Sequence, residues 1–391
     1  MMQKIVKHSI WTAAFLAFFP IALSAQYLYT NNDLAGGNTG NTISAYSFDA
    51  VGGLGPIAGS PFATGGAGSG GCWDSATRII IVNNFLYASN SGSNTVSAFA
   101  IDPGSGFLTP VLGSPFLTNA FNNSASGSGI SLAATPDGKY LYAGSAGTLG
   151  QITIYSIDAT GALTIVDHSP IAADGPMSSL KVSPDGNYLV ATVPSARELS
   201  VYVIRKNGNL HESHGYPYVF TPAPATSVDF NCAGTLLYAG TASGTIYAFN
   251  FSSGKLSPVA SSPYATGLAS NEVVALSADD STLFSSNQAG NSVTAFALDP
   301  NGGLMLPGIS VDAGDTNPYP GGLAVSSDGA FLFAADLNST SIGGSGVSVF
   351  TVSSAEQFAL LSINPTGAAS GLQSLAVYPP KACVAPAVKA H

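Results

Sequence analysis

Charge is scarce in this sequence: only 8% of its 391 residues are Asp, Glu, Lys or Arg, and Arg78, Arg197 and Arg205 are its only arginines. So few cations, outnumbered 21 to 11 by carboxylates, cannot neutralise a run of phosphates, which excludes nucleic acid and anionic membrane surfaces as partners. Cysteine is nearly absent. Cys72, Cys232 and Cys383 allow at most one internal bridge and show no metal-ligand spacing. They read as small apolar fillers plus one tail thiol. Helical periodicity is missing after the N-terminus, and the single long apolar run, Ile10 to Leu23, is short for a bilayer span and contains Pro20. With Lys4 and Lys7 ahead of it and small residues behind, residues 1–25 read as a secretory signal peptide cleaved after Ser24 or Ala25. The expectation is a secreted protein, periplasmic or extracellular, with no membrane span after signal removal. Losing the two lysines moves the formal net charge from −10 to −12.

What the chain has in quantity is Gly, at 45 residues, and short alternating apolar segments. Leu180 to Val193, LKVSPDGNYLVATV, shows the pattern: two strands of period two joined at Pro184-Asp185-Gly186, where Pro fixes φ and Gly allows the reversal. Copies of the turn recur at Thr135-Pro136-Asp137-Gly138, Ser277-Ala278-Asp279-Asp280 and Ser326-Ser327-Asp328-Gly329, with Asn231-Cys232-Ala233-Gly234 a looser one. A strand with an aromatic residue and an apolar one two positions on follows each hairpin. It occurs seven times: Tyr46/Phe48, Phe99/Ile101, Tyr155/Ile157, Tyr202/Ile204, Phe249/Phe251, Phe296/Leu298 and Phe350/Val352. The aromatics stand about 47 to 56 residues apart, the length of one four-stranded propeller blade with variable loops.

Seven copies predict an all-β, seven-bladed β-propeller of four-stranded antiparallel blades. Tyr27 enters a strand with no inner strand before it, whereas Leu372 to Val377 matches an inner strand with no partner after it. The C-terminal strand is therefore expected to complete the first blade and close the ring, which removes the exposed sheet edges. The propeller should span residues 26–379, with residues 380–391 a flexible tail. Gly-x-Leu turns and Ser-Pro-Phe motifs, such as Gly113-Ser114-Pro115-Phe116, are placed on the outer strands, whose outward N–H groups Pro does not waste.

Hairpins of the SPDGxYLY type, strands such as Thr95 to Asp102 and the Gly-x-Leu turns together resemble the seven-bladed lactonase-type propellers, over nearly the whole mature chain. That superfamily takes in 6-phosphogluconolactonases, carboxymuconate-lactonising enzymes and exported YVTN-repeat proteins. The resemblance implies Arg and His just ahead of an inner strand, with a Glu nearby. Where it would place the pair, the copy at Pro320 has Gly321 and Gly322. Ser131, Ser179, Ser227, Val273 and Ser374 stand where His would, and Ile130, Ser178, Thr226, Glu272 and Gln373 at the other basic position.

Lactone opening needs a base to activate water and donors to hold the oxyanion. Glu272 is the only ionisable group at those positions and so the catalytic candidate. Ser131, Ser179, Ser227 and Ser374 are candidates for binding, together with Lys181 and Asp229, which occupy equivalent inner-strand positions in neighbouring blades and are expected to pair. His8 and His391 lie in the signal and the tail; His168, His211 and His214 fall toward the rim and read as surface residues, as do the three arginines. No metal or cofactor pattern is visible.

Two functions remain open. One is a non-catalytic binding or interaction protein of the cell envelope or extracellular space, a monomer whose partner is a glycan, an envelope component or another protein. The other is a divergent lactonase, a carboxylic ester hydrolase acting on a sugar lactone, using Glu272 with Asp74 or Asp229.

Overall fold

The computed structural model describes residues 26–33, 40–68, 77–119, 129–145, 147, 150–213, 215–221, 223–270, 272–314, 320–339, 344–355, 357–366 and 374–381. The expected signal segment lies outside them. No helix among the described residues is long and apolar enough to cross a membrane.

Seven antiparallel sheets form the seven blades of a propeller. The innermost strands of blades II to VII are Ile79–Val82, Ile130–Ala134, Ser179–Val182, Ala225–Phe230, Val274–Leu276 and Pro320–Val325. Blade I takes its innermost strand from the other end of the chain. Ser374–Tyr378 runs antiparallel to Gln26–Asn31, from Tyr27 opposite Tyr378 to Asn31 opposite Ser374, and the ring is closed. Leu372 and Gln373, expected in this strand, lie outside the described residues.

The turn chemistry follows from the sequence. Asp137, Asp185, Asp279 and Asp328 each accept a hydroxyl bond from Thr135, Ser183, Ser277 and Ser326, at 2.7, 2.5, 2.7 and 2.6 Å. They also accept the N–H of Lys139, Asn187, Ser281 and Ala330. Burial opposes the charge on these carboxyls, but the hydrogen bonds win and hold them below the usual carboxylate range.

Blades are tied to one another by a second repeated device. The buried tyrosines Tyr29, Tyr87, Tyr142 and Tyr238 donate to the carbonyls of Gly106, Gly161, Gly208 and Gly302, in the outer turn of the next blade. Those glycines sit at φ of 71 to 83°. Space demands them too: a Cβ on Gly208 would lie 2.3 Å from the Tyr140 ring. This couples the YLY strand to the Gly-x-Leu turn.

The Ser-Pro motifs depart from expectation. Proline does not sit within an outer strand but in a break between two short ones, as between Leu54–Pro56 and Phe62–Ala67, both paired with Gly40–Phe48. In that break Ser60, Ser114, Ser169 and Ser262 use their hydroxyls to accept the third-strand N–H of Ala45, Ala98, Ile154 and Ala248. A side chain replaces the carbonyl that the interrupted strand no longer offers.

The core lies between blades rather than within them. One cluster joins Val190, Leu199 and Val201 of blade IV to Phe230, Leu237 and Phe249 of blade V, and another joins Tyr29 and Ile43 of blade I to Ile79 and Leu86 of blade II. Each blade thus needs both neighbours to bury its faces, which is why the ring must close.

Candidate functional site

The innermost strands leave a central cavity of ≈ 280 Å³. Its walls are apolar for most of their length, through residues such as Ile79, Ile81, Val274, Leu323 and Leu375. Polar atoms enter through Thr77, Ser179 and Ser227 toward the start of the inner strands, and through Lys181, Asp229 and Lys381 toward the hairpin turns.

Lys181 and Asp229 meet there, Nζ to Oδ1 at 2.7 Å. Asp229 also accepts the N–H of Phe230 at 3.1 Å and of Leu276 at 2.9 Å. Burial would raise its carboxyl; the adjacent Lys181 and Lys381 and the hydrogen bonds outweigh it and hold the group below its ordinary range. Lys381 comes from just beyond the closing strand, in the segment expected to be a loose tail. Its Nζ donates to Leu276 O at 3.1 Å and stands 3.8 Å from Asp280 Oδ1, and together with Pro380 it lines the cavity. Burial pushes the Lys381 ammonium down and the Asp280 carboxyl up, so this second pair is the weaker.

Most of the candidate serines serve the ring rather than the cavity. Ser131 Oγ donates to Ser178 O at 2.8 Å, Ser178 Oγ to Thr226 O at 2.8 Å, and Thr226 Oγ1 to Glu272 O at 2.6 Å, a hydrogen-bonded belt from blade III to blade VI. Ser227 Oγ accepts the Val274 N–H, and Ser374 Oγ the Arg78 N–H, each across a blade boundary. Ser179 differs: it is buried, lines the cavity, and its hydroxyl has no hydrogen-bond partner.

Glu272 is half-buried, and burial pushes its carboxyl up. None of the ion pairs among the described residues includes it. Asp74 lies outside the described residues, as do His214 and Gln373. His168 and His211 are exposed on the outer turn and outer strand of their blades. No group of three His, Cys, Asp or Glu among the described residues could hold a metal ion.

Two expectations need correction. Arg78 is not a surface residue: it is fully buried, its Nη1 2.6 Å from Asp33 Oδ2, with both side chains 0% exposed. Ser91 donates to the same carboxylate from Oγ and from its backbone N–H. Burial still pushes Asp33 upward. Strand register reveals what Arg78 is. Tyr87 lies opposite Ile80 as Tyr142 lies opposite Ala133 and Tyr238 opposite Asp229, which puts Arg78 level with Ser131 and Ser227. It is the blade II occupant of the position where the resemblance places His. The second correction concerns Cys232, which is disulfide-bonded rather than a free filler; its partner is outside the described residues.

A family model described as "Lactonase, 7-bladed beta-propeller" matches residues 83–230 and 234–374. Curated proteins give no match. Among solved structures, the periplasmic gluconolactonase PpgL of Pseudomonas aeruginosa aligns with a TM-score of 0.73 at 20% identity, over 90% of this chain and 99% of that one. A candidate 6-phosphogluconolactonase from Bacteroides uniformis aligns at 0.68 and 18%, over 90% and 99%. A protein of unknown function from Desulfotomaculum acetoxidans aligns at 0.66 and 14%, over 92% and 100%. At these identities the likeness is one of fold.

Proposed function

The chain belongs to the seven-bladed lactonase propeller family, and from that premise we propose that it is an exported, non-catalytic member that binds rather than hydrolyses. One observation carries this reading: most of the polar residues at the ring positions that would hold the catalytic pair are committed to holding the blades together. Ser131, Ser227 and Ser374 make blade-to-blade hydrogen bonds, and Arg78 is locked onto Asp33. Glu272 and Arg78 stand in blades VI and II, separated on either side of the ring, so the base and the cation at the positions that the resemblance assigns do not converge on one point. The partner in this reading is a glycan, another envelope component or a protein. The test is turnover: purified protein mixed with gluconolactone and with 6-phosphogluconolactone should open neither faster than buffer does. An enhancement above about 10⁴-fold, abolished by Glu272→Gln, overturns the reading.

A second reading, a divergent lactonase, is favoured by Glu272 itself. A half-buried carboxyl whose affinity for protons is raised by burial, and which pairs with no cation among the described residues, suits general acid–base work. The fold shared with a protein named as a periplasmic gluconolactonase adds to it.

A further inference from the structure

We propose that the central cavity binds a small apolar monocarboxylate, its carboxylate on Lys181 and its body along the aliphatic wall. The proposal deepens the binding reading above, since it treats the cavity as a ligand site rather than a reaction chamber.

Four charged side chains gather at the hairpin-turn end of the cavity, and they differ in what they leave available. Asp229 has its acceptors engaged by Lys181 and by the N–H groups of Phe230 and Leu276, and only 13% of its side chain is exposed. Lys381 donates to Leu276 O and stands 3.8 Å from Asp280, and what sets it back is burial, the two side chains being 22% and 21% exposed. Lys181 stands apart. Its side chain is 41% exposed, and among the described residues the only acceptor its ammonium meets is Asp229 Oδ1. An ammonium carries three donors, so two N–H bonds remain to be directed into the cavity. What a ligand meets first at this end is therefore the most exposed of the four groups, an ammonium with spare donors, with the carboxylates of Asp229 and Asp280 set further back.

The charge of the ligand follows. The two ammoniums and two carboxylates already balance, so a monoanion adds one negative charge held by the spare Lys181 donors, whereas a phosphate dianion would add two beside Asp229 and Asp280. The rest of the wall sets the body. It is aliphatic through Ile79, Ile81, Val274, Leu323 and Leu375, with a volume of ≈ 280 Å³, just under the lower end of ordinary small-molecule sites. Ser179 lies two residues before Lys181 on the same strand face, buried and with its hydroxyl unpartnered. A sugar, with a hydroxyl on nearly every carbon, would leave most of those groups unpaired against this wall.

The experiment compares three head groups on one chain length. Octanoate, octanol and octylamine are titrated calorimetrically into the full chain as purified. Octanoate should bind, octanol about tenfold more weakly because it loses the charge-assisted bond, and octylamine more weakly still. The double variant Lys181→Met/Asp229→Asn, which leaves no unpaired charge behind, should bind octanoate no better than octanol, while Lys181→Arg should keep the preference. Equal affinity for octanoate and octanol, stronger binding of octylamine, or no binding by any of the three overturns the proposal on the unmodified protein alone. A preference that survives the double variant overturns it too, by placing the carboxylate elsewhere. Lactone turnover would defeat the binding reading whatever octanoate does; silence toward octanoate without turnover would defeat this proposal and leave the binding reading in place.

Discussion

Arg78 and Asp33 give the sharpest test of how burial decides the worth of a charge. Both side chains are 0% exposed, so removing either partner strands an ion away from water. Such a loss costs about 3–5 kcal/mol, more than removing both. Arg78→Met should fall at the lower end, because Ser91 still donates twice to Asp33. Asp33→Asn should cost more: among the described residues Nε and Nη2 of Arg78 have no partner to begin with, and the substitution removes the only anion they place on the guanidinium. The double variant should then lose less than the sum of the singles by about 2 kcal/mol or more. The same cycle on Lys181 and Asp229 should show a coupling of about 1 kcal/mol or less, since the Lys181 side chain is 41% exposed and water screens the pair. Urea denaturation of the two cycles, each midpoint converted with its own slope, measures both. Equal couplings in the two cycles, or strictly additive losses at Arg78 and Asp33, would refute the reasoning. A free functional role for Arg78 would instead follow if its removal left stability unchanged.

Three further outcomes are expected. Gly208→Ala and Gly215→Ala impose similar strain, at φ of 80 and 89°, but only the first drives a Cβ to 2.3 Å from the Tyr140 ring while the second meets nothing; their stabilities should differ by about 2 kcal/mol or more, and equal denaturation midpoints would show that the close approach carries no cost. Deleting residues from Ser374 onward should strip blade I of its inner strand and expose two blade edges, so that cooperative unfolding is lost or the protein aggregates in light scattering; a truncated chain that melts as sharply as the intact one sinks the closure argument. The turn aspartates Asp137, Asp185, Asp279 and Asp328 have folded-state pKa values depressed below the unfolded value, so their contribution is present above about pH 4 and lost as pH falls below it; a denaturation midpoint that rises on acidification from pH 5 to pH 3 would contradict this.

The fold was legible because each of its devices is local and repeated. A Pro-Asp-Gly turn, an aromatic two residues from an apolar partner and a Gly-x-Leu turn each say where the chain reverses or buries, and seven copies average out the exceptions. Arg78 escaped for the converse reason. Blade II reverses through the two-residue turn Asn83-Asn84, with Asn83 at φ 53°, and has no Pro-Asp-Gly to align on. Counting back from Tyr87, the counterpart of Tyr142 and Tyr238, would have found it, since strand register preserves the level that the turn length obscures. Its ion pair was harder to foresee, because Asp33 belongs to blade I and no local spacing links residues 45 apart. Cys232 was misread for the same want of long-range information.

In a ring of near-identical blades, a ligand site has to arise where the copies differ, because a feature shared by all seven belongs to the architecture. The belt illustrates the repeated case from blade III to blade VI: Ser131, Ser178 and Thr226 are short hydroxyl residues that reach a neighbour's backbone, and each one closes a joint. One level toward the hairpin turns the copies diverge. The residues opposite Tyr29, Tyr87, Tyr142, Phe284 and Phe333 are Ala376, Ile80, Ala133, Ala275 and Ala324, whereas those opposite Val190 and Tyr238 are Lys181 and Asp229. Charge enters this level in blades IV and V alone, and Lys381 arrives beside it from outside the repeats altogether. Had the pair existed only to fasten two blades, small residues and a hydroxyl latch would have served, as they do at the other joints of the belt. Asp229 does latch onto the Leu276 N–H of the next blade, but Lys181, its side chain left 41% exposed at the end of an apolar cavity, adds only a water-screened contact to that joint, and such a departure from the repeat is the reason to look for the ligand there.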